Sequence, residues 1–208
     1  MKRILLATFL LLASSTWAGP FEDARAALMR GDYTAALRIV RPLAAKGEAR
    51  AQFILGSMYD EGQGVARDTA EALKWYKLAA AQGNAFAQYN LGLMYAEGQG
   101  VPTDYFEAVK WYRLAAAQGF VRAVSDLGAM YEYGLGVSQD HIEAVKWYRH
   151  AAVQGFAQAQ FNLALQYENG QGVPQDDARA YMWANLAASS GDADAVKVRE
   201  QLAAWMAI

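Results

Sequence analysis

The chain has 208 residues, with 19 basic and 21 acidic side chains, two histidines and no cysteine. The lack of cysteine excludes disulfides, thiol catalysis and cysteine-ligated metals, and a formal charge of −2 argues against nucleic acid as a partner. The length suits one domain with an ordinary core or a modest array of repeats.

Met1, Lys2 and Arg3 precede an apolar run over residues 4–12, followed by Ala13, Ser14, Ser15, Thr16, Trp17 and Ala18. A basic start, a short apolar stretch and the small residues Thr16 and Ala18 predict a secretory signal cleaved after Ala18. The competing reading is an uncleaved anchor, for which the run is short of the roughly 20 residues a spanning helix needs. Cleavage would leave 17 basic against 21 acidic residues, a formal charge of −4, on a periplasmic or secreted chain. No later segment is apolar for long enough to span a bilayer.

Residues 19–47 read as a degenerate capping hairpin, with helices over 21–30 and 33–46. Ala36 and Gly47 align there with Ala72 and Gly83, and Pro42 is expected to kink the second helix.

From there a single shift of 36 aligns Trp75, Trp111, Trp147 and Trp183. It also aligns Tyr59, Tyr95, Tyr131 and Tyr167, then Gly64, Gly100, Gly136 and Gly172, then Gly83, Gly119, Gly155 and Gly191. A fixed period of this size signals stacked supersecondary units, here over residues 48–83, 84–119, 120–155 and 156–191.

Each unit reads as two helices, A and B. In the second, Ala87, Leu91 and Tyr95 share one face of helix A. Gly98-Gln99-Gly100-Val101-Pro102 then ends that helix, because glycine takes the left-handed conformation and proline cannot continue. Asp104 with Glu107 opens helix B as an acidic N-cap with an acid placed as in a capping box, and Ala108, Trp111 and Ala115 form its apolar face. The first and third units repeat this as Asp68 with Glu71 and Asp140 with Glu143, whereas the fourth has Asp176 with Arg179.

Glycine inside a helix costs about 1 kcal/mol relative to alanine. Gly92 therefore predicts a close approach of helix B, with small Ala115 and Ala116 and large Trp111 interlocking. In the fourth unit Ala164 stands at this position, which a wider contact would accommodate. Neighbouring hairpins must stack to cover their apolar faces, and residues 192–208 are expected to cap the array with a helix over 193–206. Its tail, with Trp205, Met206 and Ile208, could dock on the last hairpin of a monomer or mediate a dimer.

The unit Ala-x-x-x-Leu-Gly-x-x-Tyr-x-x-Gly-x-Gly-Val-x-x-Asp-x-x-x-Ala-x-x-Trp-Tyr-x-x-Ala-Ala-x-x-Gly, from Ala51 to Gly83, closely resembles the Sel1-like repeat, a relative of the tetratricopeptide repeat. The resemblance implies an all-α fold, an α-solenoid forming a right-handed superhelix with a concave surface lined by the A helices. It also implies adaptor or scaffold roles, which exported bacterial members are associated with in envelope assembly, motility, surface polysaccharide and host contact. Departures are Ala164 for the helix A glycine, Ala184 for the tyrosine after Trp183, and the missing cysteines. The last separates this chain from disulfide-bonded exported members, some linked to penicillin binding, and that activity is not carried over.

Little material for catalysis is present, so no enzyme, cofactor or metal is expected. His141 reads as a cap neighbour, and His150 as a substitution at a packing position shared with Leu78 and Leu114. The repeated Gly-x-Gly follows a helix and lacks the third glycine or lysine of a nucleotide motif, so it reads as a turn. Asp60, Glu61, Glu97, Glu132 and Glu168 could form an acidic ladder. A hydrolase, the remote alternative, would need two such carboxylates facing one cleft, whereas repetition predicts equivalent positions on separate units.

On helix B, Lys74, Lys110 and Lys146 form a basic column, with Lys77, Arg113 and Arg149 three residues on. With Glu71, Glu107 and Glu143 one turn earlier, the column reads as a solvated face of weak intrahelical pairs, or as a contact for an anionic polysaccharide or lipid surface.

Carried onto this chain, the family geometry would place Phe53, Ser57 and Asp60, then Tyr89, Leu93 and Ala96 on the concave face. Ser125, Ala129 and Glu132, and then Phe161, Leu165 and Glu168, continue it. Such a mixture suits a protein or peptide partner with apolar anchors and some basic residues, although the aromatic column of Phe53, Tyr89 and Phe161 reads more readily as core between A helices.

Overall fold

The computed structural model describes residues 19–206, and the secretory signal expected at the start lies outside them. The described residues form eleven α-helices and no strand, in two compact units.

The first unit ends at Asn84 and holds α1 (Pro20–Met29), α2 (Tyr33–Ala45), α3 (Ala49–Glu61) and α4 (Thr69–Ala81). Neighbours in sequence pack on one another. Small residues make this possible: Ala24, Ala27, Ala36, Ala44 and Ala51 are buried among Val40, Ile54, Leu55 and Met58, with Phe21, Phe53 and Trp75 closing the edges. The helix α2 continues through Pro42 to Ala45.

The second unit begins at Ala85 and holds α5 (Ala85–Glu97), α6 (Tyr105–Ala117), α7 (Val121–Tyr133), α8 (His141–Ala152), α9 (Ala157–Asn169), α10 (Asp177–Ala188) and α11 (Ala193–Met206). Within it α6 packs on α7, α8 on α9 and α10 on α11, so three hairpins and a closing helix stack in chain order. Leu202 of α11 is fully buried, while Trp205 is exposed.

Every B helix opens on the expected aspartate. The carboxylates of Asp68, Asp104, Asp140 and Asp176 accept from the backbone N–H of Glu71, Glu107, Glu143 and Arg179 at 2.9–3.1 Å. The reciprocal half of a capping box is replaced by something else. The aspartate's own N–H donates to the carbonyl of the helix A tyrosine, Tyr59, Tyr95, Tyr131 or Tyr167, at 2.9–3.0 Å. Glu71, Glu107 and Glu143 pair instead with Lys74, Lys110 and Lys146. An acid three residues after the cap is thus not needed to close the hairpin, and Arg179 is tolerated there.

The ring that fills the space over the helix A glycine is the tyrosine after the tryptophan. Tyr76, Tyr112 and Tyr148 are almost fully buried, while Trp75, Trp111 and Trp147 are only half-buried. A methyl group on Gly56, Gly92 or Gly128 would lie 2.8, 2.4 or 2.6 Å from the ring of that tyrosine. The interlocking expected of Trp111 therefore belongs to Tyr112. In the fourth repeat both partners change together: Ala164 and Ala184 are fully buried, and α9 still packs on α10.

Within the units, the loop glycines Gly64, Gly136 and Gly172 turn the chain and also seat one hairpin on the one before it. Gly134 ends α7 in the left-handed conformation, and Gly136, at φ 68°, lies over the first residue of α6. A methyl group there would sit 2.2 Å from the Tyr105 carbonyl oxygen. Gly172 is placed likewise over His141, at 2.1 Å, and in the first unit Gly64 lies over Tyr33.

Candidate functional site

The A helices position the candidate residues, and the structure divides them by burial. In the first unit Ser57 and Asp60 are buried, and Phe53 is half-buried against the Tyr76 ring at 6.0 Å. The Ser57 hydroxyl donates to Glu61, and the Asp60 carbonyl accepts from the Arg67 guanidinium at 2.9 Å.

In the second unit Tyr89 and Ser125 are buried. Tyr89 packs between Tyr112, at 5.8 Å, and Phe120, at 4.8 Å, and Phe120 meets Phe86 edge-on at 5.1 Å. Leu93, Ala96, Ala129, Glu132, Phe161, Leu165 and Glu168 are half-buried and so remain reachable. The Glu132 carboxylate accepts from the Tyr148 hydroxyl at 2.5 Å and from the Gln166 amide at 2.9 Å. Burial and this hydrogen bond hold the Tyr148 hydroxyl far above the usual tyrosine range, so it stays a donor. Burial also raises the Glu168 carboxyl, and Asp177 adds to the effect.

The expected acidic ladder is not uniform, since Asp60 is buried, Glu97 exposed, and Glu61, Glu132 and Glu168 lie between. Among the described residues no cluster of His, Cys, Asp and Glu could hold a metal ion.

A second polar row escaped the sequence reading. Asn90, Asp126 and Asn162 recur at the 36-residue shift, one residue before the buried leucines Leu91, Leu127 and Leu163, and all three are half-buried. Such residues compete with a helical backbone for hydrogen bonds and favour caps and turns, so a periodic set inside helices was the available signal. Asp126 bonds the Tyr89 hydroxyl, with Arg122 nearby. Arg122 lies 5.7 Å over the Phe156 ring. Desolvation nevertheless dominates and lifts the Asp126 carboxyl from 3.8 to about 6.

A carboxyl whose folded pKa is raised contributes most to stability when protonated, and this contribution is lost as pH rises through the folded value. Between the ordinary value of 3.8 and about 6, stability should therefore fall with rising pH on account of Asp126. Asp126→Asn is expected to gain about 1–3 kcal/mol at neutral pH and to flatten this slope. Thermal unfolding across that window checks both.

Buried glutamines form a further set that was missed. Gln52 and Gln160 donate to the carbonyls of Ala44 and Ala152 at the end of the preceding helix, at 3.3 and 3.1 Å. Gln82 and Gln118 donate back to Gln52 and Gln88 at 2.8 and 2.7 Å. They satisfy helix C-terminal carbonyls that would otherwise be buried without partners. In the third repeat Val124 takes the place of the buried glutamine, and Gln154 turns to the His150 carbonyl.

On the B helices the lysine column is exposed and paired intrahelically, as the sequence predicts. The arginines differ from that reading, because Arg113 and Arg149 donate to the hydroxyls of Tyr131 and Tyr167 on the next A helix, both at 2.8 Å. His150 is exposed together with Leu78 and Leu114, which corrects its assignment to a packing position.

Helical hairpins of one length, stacked in chain order within each unit and offering a row of A-helix side chains, define an all-α repeat protein of the solenoid class. The chain belongs to the Sel1 repeat family, whose model matches residues 49–84, 85–120, 121–156 and 157–192. The repeats of this family commonly mediate protein–protein interaction and are generally non-enzymatic. The chain is similar to c5321, a protective antigen present in uropathogenic Escherichia coli strains that displays an SLR fold, with 38% identity and a TM-score of 0.79 over 85% of this chain. It spans 39% of the length of that protein. A Sel1 repeat protein from Oxalobacter formigenes is 35% identical with a TM-score of 0.79, over 87% of this chain and 75% of its own. Cysteine rich protein B of Helicobacter pylori shares the fold at 20% identity and a TM-score of 0.51, over 64% of this chain and 95% of its own. No curated protein matches. Among the described residues no helix is long and apolar enough to cross a membrane.

Proposed function

We propose that this chain is an exported, non-enzymatic scaffold that binds an extended segment of a protein partner along its A helices, in the periplasm or outside the cell. The observation that carries this reading is the half-buried row of Asn90, Asp126 and Asn162 in the second unit, flanked by Leu93, Ala129 and Leu165. Asn162 accepts from the Gln158 amide at 3.1 Å and Asp126 from the Tyr89 hydroxyl, but an amide has two donor hydrogens and two lone pairs and a carboxylate more than one acceptor site, so the row keeps capacity to hydrogen-bond the backbone of an extended chain at repeated intervals. The leucines offer apolar anchoring, and Asp126, Glu132 and Glu168 favour basic side chains in the partner.

The sequence of residues 1–18 supports export. The likeness to a protective antigen supports a role at the cell envelope or in host contact.

The test is affinity capture from the envelope fraction of the exporting cell, with Asn90→Ala/Asn162→Ala and Leu93→Asp/Leu165→Asp beside the parent chain. A protein retained by the parent and lost by both variants, each helical by circular dichroism, is the expected result. A partner retained equally by folded variants would refute the reading.

A further inference from the structure

The B helices of the second unit present a face that neither the core nor the A-helix row accounts for. On α6, Phe106, Lys110 and Leu114 recur at a spacing of four, with Arg113 beside them. On α8 and its C-cap, Ile142, Lys146, Arg149 and Val153 lie along one side. The apolar members point into solvent: Phe106 is 76% exposed, Ile142 60% and Val153 67%. Lys110, Arg113, Lys146 and Arg149 are exposed as well. The only acids of these helices, Glu107 and Glu143, are half-buried and tied to Lys110 and Lys146. Four basic side chains against these two acids leave the face a formal charge of +2, carried by Arg113 and Arg149, which each donate to a neutral tyrosine hydroxyl, on a chain whose formal net charge is −2.

The framework does not require this bulk. The positions of Phe106 and Ile142 are filled by Ala70 in the first repeat and Ala178 in the fourth, both exposed, and those hairpins close in the same way. Phe106 and Ile142 are thus an addition confined to the two central repeats, whereas the Leu114 position is an exposed leucine in the first and fourth repeats as well, as Leu78 and Leu186.

We infer that this face of α6 and α8 docks on an anionic lipid surface, with Phe106 and Ile142 entering the headgroup boundary and the four basic side chains meeting lipid phosphates. Single apolar residues separated by basic ones do not build the contiguous apolar centre of a protein interface, from which lysine is also depleted. A fluid bilayer takes each apolar side chain separately, while lysine and arginine reach its phosphates on flexible stems. A hydrated polysaccharide would use the charges and leave the apolar groups without a partner. This inference is independent of the A-helix row.

Sedimentation with vesicles tests it, using equal parts phosphatidylglycerol and phosphatidylcholine against phosphatidylcholine alone, with chain purified from an exporting host. The parent should bind the anionic vesicles and bind them less in raised salt. The variant Phe106→Ala/Ile142→Ala, which installs the residues of the first and fourth repeats, should keep its helical spectrum and bind about tenfold or more weakly. Replacing Lys110, Arg113, Lys146 and Arg149 by glutamine should abolish the preference for anionic vesicles. Equal binding of parent and alanine variant would overturn the proposal, as would equal binding to both vesicle types. A further contrary result is capture of the alanine variant on soluble alginate as strongly as the parent, with no vesicle binding by either, which would make the face a site for polyanions.

Discussion

Gly92→Ala is expected to lower stability by about 2–3 kcal/mol, although alanine is the better helix former. The added methyl would lie 2.4 Å from two ring carbons of Tyr112, and that ring is almost fully buried and cannot swing away. Tyr112→Ala alone should cost about 3–5 kcal/mol through the cavity it leaves. In that background the sign of the glycine substitution should reverse, with Gly92→Ala contributing about 1 kcal/mol of stability from helix propensity. The double variant reproduces the pair that the fourth repeat already carries as Ala164 and Ala184. Denaturant midpoints for the four chains of this cycle give the coupling directly, and additive effects would show that the ring does not rest on the glycine. Ala164→Gly, with no ring above it, should lose only about 1 kcal/mol.

The second large effect is expected at Gly136. Alanine there combines a positive φ of 68° with a methyl group 2.2 Å from the Tyr105 carbonyl oxygen and 2.8 Å from the Phe106 nitrogen. These are backbone atoms at the start of α6, so relief requires moving one hairpin off another. A loss of about 3 kcal/mol or more is expected, with increased hydrogen exchange over α6 and α7. Gly119→Ala is the control: its φ is 79° but nothing lies within 4 Å, so about 1–2 kcal/mol of backbone strain is all it should show. Equal losses at the two sites would mean that the loop does not seat the hairpins. The contrast separates two uses of glycine that look alike in the sequence, one ending a chain segment and one admitting a neighbour.

The period, the helix pairs and the aspartate caps were legible because each hairpin solves the same packing problem with the same residues. Asp68, Asp104, Asp140 and Asp176 announce four helix starts by local chemistry alone, and the structure finds each accepting from the backbone three residues on. What failed was the choice between neighbours. Trp111 and Tyr112 are adjacent on one helix, about 100° apart, and both fall within the apolar arc. Periodicity cannot tell which one points at the opposing glycine, and the larger residue was the wrong choice. For the same reason Ala164 and Ala184 read as two separate departures when they are one compensated change.

The candidate site was legible only in part. The sequence assigned the candidate surface to the A helices and placed Ser57, Asp60, Tyr89 and Ser125 on it, and the structure buries these four. It passed over Asn90, Asp126 and Asn162, which are half-buried. A rotation of one residue around a helix moves a side chain from groove to core, and that angle is set by the neighbouring hairpin.

By itself, then, the sequence determined an all-α chain of four equal hairpins in the Sel1 family, because capping, helix termination and a fixed repeat are local properties that residues declare without their neighbours. The tertiary structure decided which ring fills the glycine notches of the first three repeats, which loop glycine carries the hairpin before it, and which A-helix side chains stay exposed in part. Those depend on the distance and rotation between packed helices, quantities that no single helix contains.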